Sequence, residues 1–210
     1  METATSIENP RAAADTNGAH KPSPKPRYIS WETFEKRYLT REDGHTYEWT
    51  NGLVEKTRNS MGPTQLYIHR NLIELFYQLS NDGNHAGGLL AEPDLLFNSE
   101  THKRPDFAWL TNRQINRLSE KGAIEIPAFV IEVISNNDAA QKLADKMMLY
   151  RTAGVQVVWL IYPNQQEIHV YASHNLEQMT VCYGNKICSA APVLPAFAFE
   201  AKDVFRKEAL

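Results

Sequence analysis

Two carboxylates stand in apolar stretches of this chain, and a lysine follows them on a segment with helical spacing. Asp106 lies in Arg104-Pro105-Asp106-Phe107-Ala108-Trp109-Leu110, and Glu132 in Ala128-Phe129-Val130-Ile131-Glu132-Val133-Ile134-Ser135. Lys146 follows in Asp145-Lys146-Met147-Met148-Leu149-Tyr150. A charged carboxylate inside an apolar strand is costly to bury unless it is paired or binds a metal. Two of them near a lysine point to a divalent-cation site that handles phosphate. Mg2+ (or Mn2+) takes hard oxygen ligands and keeps several waters. One Asp and one Glu on adjacent strand ends would supply two ligands, and the Val133 main-chain carbonyl another. A metal held there lowers the pKa of a bound water and stabilises charge during in-line attack on phosphorus. Lys146, or Lys142 one turn earlier on the same helix face, would position that water or neutralise the phosphate. Glu48, between Tyr47 and Trp49, joins the site if its strand lies near the others.

Each of these residues also has an ordinary reading. Pro-Asp occurs a second time at Pro93-Asp94, so Asp106 taken alone is a turn or strand-end residue. Glu132 also fits a buried pair with Lys or Arg, Lys146 a solvated charge, and Glu48 a cross-strand partner of Lys56 or Arg58. His69 lies near the apolar face of a helix, where it either contacts substrate or is packed. Lys56, Arg58, Lys103, Arg104, Lys142, Lys146 and Arg151 fall near these elements. They form either a local patch for phosphate, with Arg104 and Lys142 as substrate contacts, or ordinary surface charge. Other chemistries lack their signatures. No His-x-x-x-His spacing suggests zinc, no glycine-rich phosphate loop occurs, and Ser135 lacks a glycine-flanked elbow.

Composition narrows the class. The 210 residues suit one domain with extra segments, and 42% hydrophobic content is enough for a core. No apolar run approaches the ~20 residues of a membrane span, and the N-terminal residues lack a signal pattern. A cytoplasmic protein is expected. Cys182 and Cys188 form no Cys-x-x-Cys pair; they are either two small buried hydrophobes or residues facing each other near a hairpin. The formal net charge of −3 means that nucleic-acid contact must use a local patch rather than the whole surface.

The elements that must position the site are legible in outline. Residues 1–27, ending in Lys-Pro-Ser-Pro-Lys-Pro, read as a disordered tail, and 28–210 as the domain. Ser30 is expected to cap a helix from Trp31 to about Leu39. Asn51-Gly52 between alternating segments predicts a hairpin over 45–56. Pro63 opens a helix to about Leu79, with Leu66, Leu72, Ile73, Phe76, Tyr77 and Leu79 on a wide apolar face. Asn81-Asp82-Gly83-Asn84 ends it. Leu89–Phe97 and Asp106–Leu110 read as strands, with Gly87-Gly88 as a turn before them. Thr111–Leu118 reads as a short helix or turn and Phe129–Ile134 as a central buried strand. Asp138–Ala153 is an amphipathic helix with Ala139, Leu143, Met147 and Tyr150 on one stripe. Val155–Tyr162 is a second buried strand joined to 129–134 by a parallel crossover, and Glu167–Ala172 pairs back on it. Residues 178–183 and 186–190 read as a further hairpin, and about 200–207 as a short helix. This is an α/β chain, a mixed central sheet flanked by helices with an added N-terminal helix and hairpin.

Taken together these pieces resemble the Uma2-like group (domain of unknown function 820) of endonucleases, within the PD-(D/E)xK nuclease superfamily. The resemblance is carried by Tyr47-Glu48…Asn51-Gly52, Arg104-Pro105-Asp106, Val130-Ile131-Glu132-Val133-Ile134-Ser135, Lys146…Tyr150…Ala153-Gly154-Val155 and Val158-Trp159-Leu160-Ile161-Tyr162-Pro163. It covers roughly residues 30–205. It implies a restriction-endonuclease-like fold and Mg2+- or Mn2+-dependent hydrolysis of DNA. It also implies that Asp106, Glu132 and Glu48 bind metal, with Lys146 as the catalytic lysine. Two positions depart from the pattern. The superfamily places Lys two residues after the acid, where this chain has Ile134, and in this group the lysine has moved to the following helix. Asn51 stands where the group often has Asp, which bears on turn chemistry.

Cutting both strands needs two sites, so a homodimer is expected, with 155–183 as one candidate interface. The rival reading is a non-catalytic DNA- or protein-binding module on the same fold. A glycosidase carboxylate pair is a third, for which Trp109 and Trp159 are the sole aromatic platform candidates.

Overall fold

Local signals set the first third of the chain. The computed structural model describes residues 28–58, 62–80, 86–135 and 140–208; the expected tail, the 81–84 helix end and Asp138-Ala139 lie outside these. The Ser30 hydroxyl accepts the Thr33 N–H at 3.3 Å and starts α1 (Trp31–Phe34), which continues as a π-helical turn at Glu35–Leu39. β1 (His45–Thr50) and β2 (Leu53–Arg58) form the expected hairpin. Its two turn residues have φ of 48° at Asn51 and 85° at Gly52, the left-handed values that this residue pair tolerates best. α2 (Pro63–Ser80) opens on its proline.

Four short strands follow: β3 (Gly87–Ala91), β4 (Leu95–Asn98), β5 (Thr101–Lys103) and β6 (Phe107–Thr111). Thr111 then makes a reciprocal capping box with Gln114 and opens α3 (Asn112–Arg117). β7 (Phe129–Val133), α4 (Ala140–Ala153) and β8 (Val157–Tyr162) form a strand–helix–strand unit with β7 and β8 parallel. The chain ends through β9 (Glu167–Ala172), β10 (Gln178–Tyr183), β11 (Ile187–Ala190), β12 (Leu194–Glu200) and a 3-10 turn at Ala201–Phe205.

The strands make a six-stranded mixed sheet in the order β10-β9-β8-β7-β6-β3, a four-stranded sheet β2-β1-β5-β4 and the pair β11-β12. Alternation along the central strands divides the core. Phe129, Ile131 and Val133 face one side of the large sheet, where α2, β12 and Trp159 pack. Val130, Ala108, Leu110 and Leu160 face the other, with Tyr150 of α4. Phe34, Tyr47 and Trp49 form a third cluster that seats the hairpin on α1. Among the described residues, no helix is long and apolar enough to cross a membrane.

Several expectations are corrected. Leu89–Phe97 is not one strand: Glu92 adopts φ 47° and Pro93 offers no N–H, so the chain leaves the large sheet after Ala91 and enters the small one at Leu95. Gly87-Gly88 belongs to β3 itself rather than to a turn. Residues 178–183 pair with β9 and not with 187–190, which pair instead with β12, a strand the sequence reading missed. On α2 the buried side is Ile68, Leu72, Leu75 and Phe76, while Leu66, Ile73 and Tyr77 are exposed. Cys182 and Cys188 are free and buried, each thiol donating to a main-chain carbonyl at 3.3 Å.

The glycine pair in β3 gives a direct test of the sheet edge. A Cβ at Gly87 would lie 2.3 Å from the Leu110 carbonyl oxygen, whereas one at Gly88 would meet the flexible end of Ile115 at 3.4 Å. Gly87→Ala is expected to lose about 2 kcal/mol in urea unfolding, and Gly88→Ala less than about 0.5 kcal/mol. Equal losses would refute the close β3–β6 approach.

Candidate functional site

Strand parity brings the site together. Glu132 is in step with Val130, so it points to the α4 side of the large sheet, and it is 5% exposed. Residues 146 and 150 are one helical turn apart on α4 and both reach it. Lys146 Nζ lies 2.9 Å from each Glu132 oxygen, and the Tyr150 hydroxyl donates to Oε1. β6 runs antiparallel to β7 with Phe107 opposite Ile131, and one more step of that register sets Asp106 opposite Glu132. There Asp106 Oδ2 accepts the Val133 N–H at 2.6 Å.

Glu48 arrives from the hairpin. Its Oε2 accepts from Lys103 Nζ at 3.1 Å, its Oε1 accepts the Arg104 N–H at 3.1 Å, and Lys146 Nζ lies 3.9 Å away. It is opposite Glu55 in the hairpin register, so it is not the cross-strand partner of Lys56 or Arg58. Glu55 in turn stands 3.9 Å from Lys103 and 3.7 Å from Lys142. The charges thus alternate along one path: Glu132, Lys146, Glu48, Lys103, Glu55, Lys142.

This arrangement shifts the acids in opposite directions. Burial, then the Glu132 charge, pushes Asp106 up to about 7 against the pull of the Val133 amide and Lys146. Burial also acts to raise Glu48, but Lys146, Lys103 and the Arg104 amide outweigh it and hold that carboxyl below its ordinary value. Burial alone would lower Lys146, yet Glu132 and Glu48 hold its pKa above the ordinary lysine value, so it is charged at neutral pH.

The other expected residues are placed differently. Arg104 is forked onto Asp94 at 3.0 and 2.6 Å, and His102 Nε2 lies 3.0 Å from the same carboxylate. Its main chain, not its side chain, reaches Glu48. His69 is buried with its ring 4.6 Å from that of Phe107, and burial lowers its pKa. Lys142 is exposed at the outer end of the path. The expected basic patch is largely taken up: Lys103, Arg104 and Lys146 are held by carboxylates, Lys56 lies over the Tyr47 ring, and Arg151 Nε donates to the Asn175 carbonyl. Trp159 is fully buried and serves no sugar platform. Sequence reasoning gave no site role to Asp94 or Tyr150 and named Lys103 only within the basic patch. Asp94 was legible as the second Pro-Asp and Tyr150 as the i+4 neighbour of Lys146; Lys103 gave no signal beyond its charge.

Hard oxygen donors suit Mg2+ or Mn2+. Among the described residues, no three His, Cys, Asp or Glu side chains stand close enough together to hold a metal ion. The donors that fit are the opposed Asp106–Glu132 pair, whose mutual repulsion a cation would relieve. Glu48 enters through its lysines, not as a third member of a carboxylate cluster.

Residues 31–202 match the family model of Uma2, described as "putative restriction endonuclease". The chain belongs to the Uma2 family. Among solved structures it is similar to "a putative nuclease belonging to DUF820" from Anabaena variabilis ATCC 29413. The TM-score is 0.67 at 20% identity, covering 84% of this chain and 97% of that one. That likeness places the chain in the same α/β fold as that protein. No curated protein matches it.

The Asp106 shift has a signed consequence. Its carboxyl titrates near 7 in the folded protein against an ordinary value of 3.8. The native state therefore holds the extra proton between those values, and stability falls as pH rises through that window. Asp106→Asn removes the titration and keeps an acceptor for the Val133 N–H. In chelator, its stability relative to wild type is expected to increase by about 2 kcal/mol from about pH 4 to about pH 8. A difference in urea midpoints that does not vary with pH would count against it.

Proposed function

We propose that this protein is a metal-dependent endonuclease that hydrolyses phosphodiester bonds in DNA. The observation that carries this reading is the opposition of partly buried Asp106 and buried Glu132 beside Lys146. Asp106 and Glu132 hold Mg2+ or Mn2+, with the Val133 carbonyl as a further ligand. When bound, the cation supplies Lewis acidity and makes a hydroxide nucleophile accessible at neutral pH.

The chain's own residues do the rest. Lys146 stays charged and faces the carboxylates, so it can neutralise a phosphate oxygen at the same place. Glu48 sets the position of Lys146 and Lys103 and keeps both cations inside the site. Lys142, exposed one turn away, is the first cation an incoming phosphate meets. DNA as substrate is supported by the restriction-endonuclease description of the family. Cutting of both strands requires two copies, hence a homodimer. Two free buried thiols suit a reducing cytoplasm.

A binding module without catalysis is the second reading, favoured by Ile134 at the superfamily's lysine position and by the carboxylate partners of every lysine on the path. Supercoiled plasmid separates the two. With Mg2+ or Mn2+, wild type is expected to nick and linearise it, and Asp106→Asn, Glu132→Gln and Lys146→Met each to lose about 100-fold or more in rate. Cleavage by all variants at the wild-type rate, or none by wild type on duplex and single strands, would overturn the proposal.

A further inference from the structure

Glu132 has more partners than an ion pair needs. Lys146 spans both of its oxygens at 2.9 Å, and Tyr150 adds a hydroxyl to Oε1 alone. Tyr150 is fully buried, with Phe97 at 5.5 Å between ring centroids, in the cluster that joins α4 to the sheet. Packing therefore fixes the direction of its hydroxyl independently of the carboxylate. Lys146 is the adaptable partner, since Glu48 lies 3.9 Å from the same Nζ.

We infer that Tyr150 is a positioning residue that divides the two oxygens of Glu132, committing Oε1 to its hydroxyl and leaving Oε2 for a divalent cation shared with Asp106. The inference rests on the proposed ligand role of Asp106 and Glu132. Its consequence is cation selectivity. The terminal torsion of a glutamate is broad, so an unrestrained carboxylate can swing to offer both oxygens. Ca2+ accepts such two-oxygen chelation at long, flexible distances, whereas Mg2+ demands near-octahedral single contacts. A hydroxyl pinned on one oxygen therefore favours the smaller cation. Mn2+, which stands in for Mg2+, reports the difference.

The test is titration calorimetry of the full chain with Mn2+ and with Ca2+, on wild type, Tyr150→Phe and Phe97→Leu. Tyr150→Phe removes one oxygen and keeps the ring. It is expected to weaken Mn2+ binding by about 10-fold or more while Ca2+ binding holds or tightens. Phe97→Leu loosens the packing and keeps the hydroxyl, and is expected to lower the melting temperature with the Mn2+/Ca2+ ratio unchanged. Three results would overturn the role of Tyr150: an unchanged ratio in Tyr150→Phe, an equal loss of both cations, or an equal ratio shift in Phe97→Leu. Wild type that binds neither cation would overturn the ligand reading and this inference with it.

Discussion

The rest of the site is arranged around the buried charge of Glu132. It sits mid-sheet between Ile131 and Val133, where an unpaired carboxylate would not survive folding as an ion. The salt bridge to Lys146 answers that charge, and it dictates where α4 must run. Because Lys146 then needs a second anion, the hairpin carrying Glu48 is drawn over the same end of the sheet. Two sheets that share no strand are thereby joined by polar contacts at this end, in addition to the core packing of Leu95 and Phe97 against the large sheet. Breaking a buried pair of this kind is costly, although a well-packed apolar substitute can match it in stability.

The segment from Thr101 to Asp106 works as the junction. In six residues it presents His102 to Asp94, Lys103 to Glu48, the Arg104 side chain to Asp94, the Arg104 amide to Glu48 and Asp106 to the Val133 amide. The fork of Arg104 on Asp94 anchors the turn, so its main-chain donor and the following aspartate are aimed without freedom. Both Pro-Asp dipeptides have parts in it: one aspartate is structural and the other faces Glu132.

Much of this was legible. Ser30, Asn51-Gly52, Pro63 and Thr111 each act through contacts within a few residues, so their meaning survives without tertiary information. Glu132 stood out because charge amid apolar neighbours demands an explanation, whereas Lys146, which follows Asp145 and alone reads as a solvated charge, gained its place from the helix after that strand and from the family resemblance. The failures share a different cause. Leu89–Phe97 is apolar throughout, and hydrophobic periodicity cannot see a change of sheet at Glu92-Pro93. Thr101–Lys103 is too short to show a period. β12 carries Pro195 at its second residue, which hid a strand that pairs only on one side. Lys103 meets Glu48 across 55 positions of sequence, a proximity that no local pattern encodes.

The alternating path from Glu132 to Lys142 also grades the site by depth. Its inner pair, Lys146 with Glu132, has side chains 25% and 7% exposed; its outer pair, Lys142 with Glu55, 61% and 42%. Mobile ions screen the outer link and hardly touch the inner one. Ionic strength therefore acts on this protein as a one-sided solvent for its charges, loosening β2 from α4 while Glu132 keeps its lysine. An anionic polymer brings its own counterion atmosphere to the same doorway. On the proposed reading it would compete for Lys142, where the hold is weakest, while Glu132 and Lys146 keep one another.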